Sequence, residues 1–160
     1  MSEFYLACYK GKKQGKDLKT LLFKSLDWLV RKATGGEYAH CEIAVSRHDG
    51  QFDCYSSSLR DGGVRVKTMH LPSDKWDLIP IQQDYLSLIY RLNTHFGATK
   101  GQKYDYWGAI GVVWRIGRQH PKRWFCSEWC AKVLGLENSA QYSPNSLAHR
   151  FQLINSFTRK

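Results

Sequence analysis

Trp124-Phe125-Cys126-Ser127-Glu128-Trp129-Cys130-Ala131-Lys132-Val133-Leu134-Gly135 reads as a bulky apolar lead-in, a cysteine, and a short helix closed by glycine. A cysteine at a helix start faces unpaired backbone N–H groups and the positive end of the dipole. Both favour the thiolate, which is the nucleophile. Glu128 is a first-turn acid that suits the same dipole, and Cys130 shares a helix face with Cys126. Further on, Ser143-Pro144 sets an N-cap before a proline at the first helical position. A short helix through His149 follows, and Phe151 to Phe157 is expected to add a last edge strand.

Upstream of the cysteine the chain is helical back to about residue 85. Tyr85, Leu88, Ile89, Leu92 and Phe96 recur at helical spacing, with Gly97 or Gly101 as the stop. Asp105 to Ile116 is apolar and contains glycine, which predicts a buried helix packed close to a neighbour. The first half reads mainly as strands. Phe4 to Tyr9 is one, and residues 38–46 and 51–58 form a hairpin around His48-Asp49-Gly50. Val64 to Met69 alternates after the turn Asp61-Gly62-Gly63, and Trp76 to Ile81 closes the set with Pro80 at its edge or end. One helix interrupts them: Leu18, Leu21, Leu22, Leu26, Leu29 and Val30 form a stripe, capped by Asp17 and ended by Gly35-Gly36. The expectation is an α+β fold in one domain over residues 1–160, an antiparallel sheet or partial barrel packed against helices.

A nucleophilic thiol needs a base, and His40 in Tyr38-Ala39-His40-Cys41-Glu42-Ile43-Ala44-Val45 is the candidate. Alternation sends Cys41, Ile43 and Val45 to one face and His40, Glu42 and Ala44 to the other. His40 and Glu42 therefore emerge together, about 7 Å apart along the strand. The hairpin brings Ser56 or Ser57 across from His40, so the group orienting the imidazole is either Glu42 or one of those serines. The candidate catalytic set is Cys126, His40, Glu42 and Ser57. Cys126 and Cys130 with a histidine make only a weak zinc pattern, so no metal and no cofactor is expected.

Length and composition set the outer bounds. At 160 residues the chain can bury a core without disulfide staples, and five irregularly spaced cysteines do not form a disulfide framework. Free thiols fit a reducing compartment. Neither a leader-like N-terminus nor an apolar run of membrane-spanning length is visible, so a soluble cytoplasmic chain is expected. The net charge of +10 implies attraction to anions. Lys10, Lys12, Lys13, Lys16 and Lys19 form one basic cluster; Arg115, Arg118, His120, Lys122 and Arg123 form another. Either cluster could border the cysteine and steer an anionic target, or bind an anionic polymer or nucleic acid.

The order His40-Cys41-Glu42-Ile43-Ala44-Val45, Gly63-Val64-Arg65, Lys103-Tyr104-Asp105-Tyr106-Trp107-Gly108 and Arg123-Trp124-Phe125-Cys126-Ser127-Glu128 resembles the permuted papain-like amidases. These are the YaeF/YiiX type within the NlpC-type superfamily. The resemblance spans roughly residues 38–150, and the cysteine segment is its most specific part. It implies a circularly permuted papain-like fold with Cys126 as nucleophile and His40 as base, the histidine preceding the cysteine. The family's third polar residue usually lies on the strand after the histidine; here that strand, Phe52 to Ser58, holds no His or Glu. An assisting tyrosine is common near such sites, with Tyr5, Tyr9, Tyr38 and Tyr104 as candidates. The implied reaction is acyl transfer through a thioester on a peptide, isopeptide or cell-wall-like substrate. Two other readings remain open: a lipid acyltransferase of related fold, and an inactive basic protein that binds a partner or nucleic acid.

Overall fold

Period-two alternation decides which side chains of the N-terminal strands turn inward. The computed structural model describes residues 3–11, 18–105 and 122–158. Strands β1 (Phe4–Tyr9), β2 (His40–Ser46), β3 (Phe52–Ser58), β4 (Gly63–Met69) and β5 (Trp76–Pro80) pair antiparallel. Two short strands, β6 (Lys103–Tyr104) and β7 (Arg123–Trp124), extend the sheet and run parallel to each other. The order is β5-β1-β2-β3-β4-β6-β7. The fold is mixed α+β, a curled, mostly antiparallel half-barrel sheet with four helices among the described residues.

Leu6, Cys8, Cys41 and Ile43 turn to one face, where the main core forms with the helices. Ala7, Ala44 and Cys54 turn to the other, under Tyr5, Phe52, Trp76 and Leu78. Gly63 joins the strand meander to the C-terminal half. A Cβ there would lie 2.0 Å from the Gln102 carbonyl oxygen, so only glycine lets β6 approach β4 this closely. The Val64 N–H then donates to Gln102 at 2.9 Å, and the Tyr104 N–H to Gly62 at 3.1 Å.

Helix α2 (Tyr85–Thr99) starts at Asp84, whose carboxylate accepts from the Ser87 N–H at 2.8 Å. It runs through Gly97 and stops before Gly101, which takes φ 78°. Helix α3 (Cys126–Val133) is enclosed nearly all round: Cys126, Trp129, Cys130, Ala131 and Val133 are fully buried. A helix surrounded in this way is the centre of a core, not a surface element. Gly135 at φ 74° ends it, with the Leu136 N–H reaching back to Ala131 at 3.0 Å.

The last helix differs from expectation. Instead of a short helix and an edge strand over Phe151–Phe157, α4 runs unbroken from Pro144 to Thr158. Pro144, Leu147, Ala148, Phe151 and Asn155 are its buried positions, spaced mostly three or four apart, whereas Leu153 and Phe157 are exposed. The sheet edge there belongs to β5, where the Asn155 amide donates to the Pro80 carbonyl at 2.9 Å.

Helix α1 (Leu18–Thr34) also departs from its expected stripe. Val30 is buried, but Leu18 is 85% and Leu21 46% exposed. The helix covers a cavity with Phe23, Leu26 and Val30 and leaves its other side uncovered. Asn145, at the start of α4, holds the chain between α1 and β2. Its amide nitrogen donates to Thr34 Oγ1 and the Tyr38 carbonyl, and its oxygen accepts from the Tyr38 N–H at 2.9 Å. Asp17, Lys12, Lys13, Lys16, the side chains of Lys19 and Leu22, and residues 106–121 lie outside the described residues. The helix expected over Asp105–Ile116 therefore falls, beyond Asp105, in that segment. No helix among the described residues is long and apolar enough to cross a membrane.

Candidate active site

Cys126 is the first residue of α3, directly after the extended residue Phe125. Its backbone N–H and those of the next residues point out of the helix start without intrahelical acceptors. The thiol is fully buried against β2. Burial alone would raise its pKa; a hydrogen bond from the Cys41 thiol, the charge of His40 and a hydrogen bond with His40 bring it down to about 5. These contacts with Cys41 and His40 favour the thiolate over the thiol at Cys126.

His40 opens β2, and the backbone fixes it there: the Ala39 N–H donates to Tyr9 at 3.0 Å and Asn145 grips Tyr38. The Trp76 ring stands edge-on to the imidazole with centroids 6.4 Å apart. Burial works against the imidazolium. The Cys126 charge and hydrogen bond, with the Glu42 hydrogen bond and charge behind them, outweigh burial and lift His40 to about 10. Thiolate and imidazolium stabilise each other, as a paired Cys–His unit should.

Glu42 lies two residues along the same face, and its Oε1 stands 3.0 Å from His40 Nε2. That commits Nε2 to the carboxylate. The carboxylate is itself clamped: Arg65 donates from Nη1 to Oε2 at 2.7 Å and from Nη2 to Oε1 at 2.9 Å. Burial pushes Glu42 up, but these bonds and that of His40 hold it down at about 2. Arg65 in turn donates through Nε to Asp61 at 2.7 Å. A single chain of charges thus runs Cys126–His40–Glu42–Arg65–Asp61, from the buried sulfur to the surface.

Alternation and register leave the orienting group open between Glu42 and the serines, and the structure brings Glu42 to the imidazole. The Ser57 hydroxyl donates to the Trp124 carbonyl at 2.7 Å, tying β3 to the strand that leads into Cys126. The Ser56 hydroxyl donates to the Cys41 carbonyl at 2.8 Å. Both serines brace the backbone of the site and leave the imidazole alone. Arg65 stands out in the sequence only as part of a motif. A glutamate facing inward on an otherwise apolar strand needs a cation, and that is the signal that points to it. Among the four tyrosines, Tyr104 is beside the thiol: burial raises its pKa first and the Cys126 charge second. Tyr38 is tied to Asp77 at 2.7 Å, and Tyr5 bonds Glu3.

A cavity of about 410 Å³ opens over His40, Glu42 and Tyr104. Phe23, Leu26, Val30, Tyr9 and Trp76 give it an apolar side. Of the two basic clusters expected to border the site, Lys10 is described and paired with Asp77 at 2.7 Å. Most of the rest falls outside the described residues. Among the described residues no three His, Cys, Asp or Glu side chains converge as a metal site.

Alkylation of Cys126 should follow its ionisation, rising through about pH 5 and then staying level past neutrality. An ordinary thiol would still be rising near about pH 8.5. Any reaction that also needs the imidazolium should fall as pH approaches about 10, where His40 loses its proton. Rates of iodoacetamide labelling across this range, followed by mass spectrometry, check the lower limb directly.

No protein-family model matches this chain. Nor does any curated protein.

Proposed function

We propose that this chain is a cysteine hydrolase, an amidase or endopeptidase that works through a thioester, of the kind its resemblance to the permuted papain-like amidases implies. One observation carries the reading: a thiol at a helix start lies beside an imidazole whose charge lowers its pKa, and a buried carboxylate holds that imidazole at Nε2. Nucleophile, base and orienter are the parts thiol acyl chemistry requires.

Cys126 attacks the carbonyl carbon of an amide or isopeptide bond. Backbone N–H groups at the α3 start receive the developing oxyanion, which needs fixed donors rather than water. The His40 imidazolium gives its proton to the leaving nitrogen, and the amine departs. The neutral imidazole then takes a proton from water, which cleaves the thioester and restores the thiolate. Glu42 keeps the ring in place and favours its charged form at each stage.

Thiol mapping tests this reading. All five cysteines are buried, so accessibility does not rank them. Ionisation does: burial pushes Cys8, Cys41 and Cys54 up while Cys126 is held down. Limiting iodoacetamide at about pH 6, above the Cys126 value and well below that of a free thiol, should label Cys126 first. First labelling of Cys8, Cys41, Cys54 or Cys130 would remove the central premise.

One observation favours the lipid acyltransferase reading as a second. Beside the cavity, α1 exposes Leu18, Leu21 and Trp28, with the Lys32 ammonium 5.1 Å from the Trp28 ring centroid. An exposed apolar strip with cations suits a lipid surface. That reading requires turnover of ester lipids in vesicles, lost on Cys126→Ala.

A further inference from the structure

The cavity over His40 has two unlike kinds of lining. Beyond the apolar wall of α1, Tyr9 and Trp76, its rim carries Arg60, Lys67 and Lys75, all exposed. Arg65 is a cation of the same lining, but its guanidinium is engaged by both Glu42 and Asp61. Among the described residues, none of Arg60, Lys67 and Lys75 forms an ion pair. The acids of the lining are Asp27, Glu42 and Asp61, and two of these three are bonded to Arg65.

Position makes these cations more than surface charge. Lys67 follows Arg65 by two residues on β4, so it rises from the same face, about 7 Å further along the strand. Lys75 precedes Trp76, the residue whose ring abuts the imidazole. Two ammonium groups without an ion pair among the described residues therefore stand on segments that also carry close neighbours of the His40–Glu42 pair. The same cavity is also lined by hydrocarbon and aromatic side chains.

We infer that the cavity is a substrate subsite for an acyl compound with an apolar group and an anionic group, a carboxylate or phosphate, near the scissile carbonyl. The apolar part lies against Phe23, Leu26 and Trp76; the anion is received by Lys67 and Lys75, with Arg60 beside them. This assignment rests on the thiol reading above and deepens it by naming the substrate class. It also relocates the anion attraction of a +10 chain from the lysine-rich segments to the rim of the site.

The test needs no turnover. Chloroacetamides of matched length carry a terminal carboxylate, phosphonate, methyl or ammonium group, and each can alkylate a thiolate with loss of chloride. Second-order labelling rates at Cys126 are read by intact mass and peptide mapping at low salt. The carboxylate and phosphonate reagents should outrun the methyl reagent by about tenfold, and the ammonium reagent should trail it. The double variant Lys67→Glu/Lys75→Glu, whose exposed side chains leave the core untouched, should erase this order while the methyl reagent keeps its rate within about twofold. Comparison of carboxylate with phosphonate decides which anion the site takes. A methyl reagent as fast as the anionic ones, or a preference that survives the double variant, overturns the subsite and leaves the thiol reading standing. Labelling at another cysteine, or none, overturns the thiol reading and the subsite with it.

Discussion

Cys126→Ala should abolish turnover, with kcat/KM falling by on the order of 10⁴-fold or more, because the thioester cannot form without the sulfur. The substitution should also be visible away from the reaction. The Cys126 charge does more than any other group to raise His40 against burial, so its removal should bring the imidazole down from about 10. An NMR titration of His40 in the variant reads this directly. Retained turnover would exclude thiol catalysis. An unchanged His40 titration would mean that the sulfur and the ring do not share a proton equilibrium.

Glu42→Gln is the second large effect, and it separates chemistry from folding. The amide matches the carboxylate in shape and keeps an oxygen for Arg65, yet it offers the imidazolium no charge. Activity should drop by on the order of 10³-fold, approaching the scale seen when the orienter of a catalytic histidine loses its charge. Glu42→Ala goes further and leaves His40 and Arg65 facing an empty place in a buried site. Breaking a buried pair from one side costs about 3–5 kcal/mol, which a denaturant midpoint would register. The pH dependence has a definite sign. Glu42 is held at about 2 against an ordinary 4.5, so its contribution is complete above about pH 4.5 and disappears as pH falls through about 2. Glu42→Gln should flatten stability across that window, and an unchanged acid limb would mean the carboxylate is not stabilised by its partners.

Much of this arrangement is legible in the residues. Period-two alternation is sufficient to place His40 with Glu42 and to turn Cys41 the other way, because a strand offers its side chains only two directions. The Cys126 helix is equally readable from its glycine stop and its apolar lead-in. Long-range consequences are less accessible. Arg65 reaches Glu42 from two strands away, and only the curl of the sheet and the pairing through β3 bring the two together. The expected hairpin register, with Ser56 or Ser57 across from His40, is off: Ile43 pairs Tyr55, which carries on to set Ser57 opposite Cys41, and the Ser57 hydroxyl is taken by the Trp124 carbonyl, 67 residues downstream. In α4 the spacing of Phe151, Leu153 and Phe157 mimics a strand, while the deciding contact, Asn155 on the Pro80 carbonyl, lies between elements far apart in sequence. The outer side of α1 departs from expectation for a related reason: a leucine stripe says that something covers a helix but not which flank is covered.

The order of elements has a consequence for the chain while it is being made. Among the described residues, 4–80 supply all five long strands, and the sheet that positions His40 draws on nothing later than β5 for its central pairings. The sulfur arrives 86 residues after the imidazole, on a helix that can bury itself only once β2 offers a surface to receive it. At ribosomal speed that interval is on the order of 10 s. Throughout it a nascent chain holds a histidine and a glutamate with no thiolate to activate. On the proposed reading, acyl chemistry switches on only when α3 docks, and a chain cut short before residue 126 should be inert toward its neighbours on the ribosome.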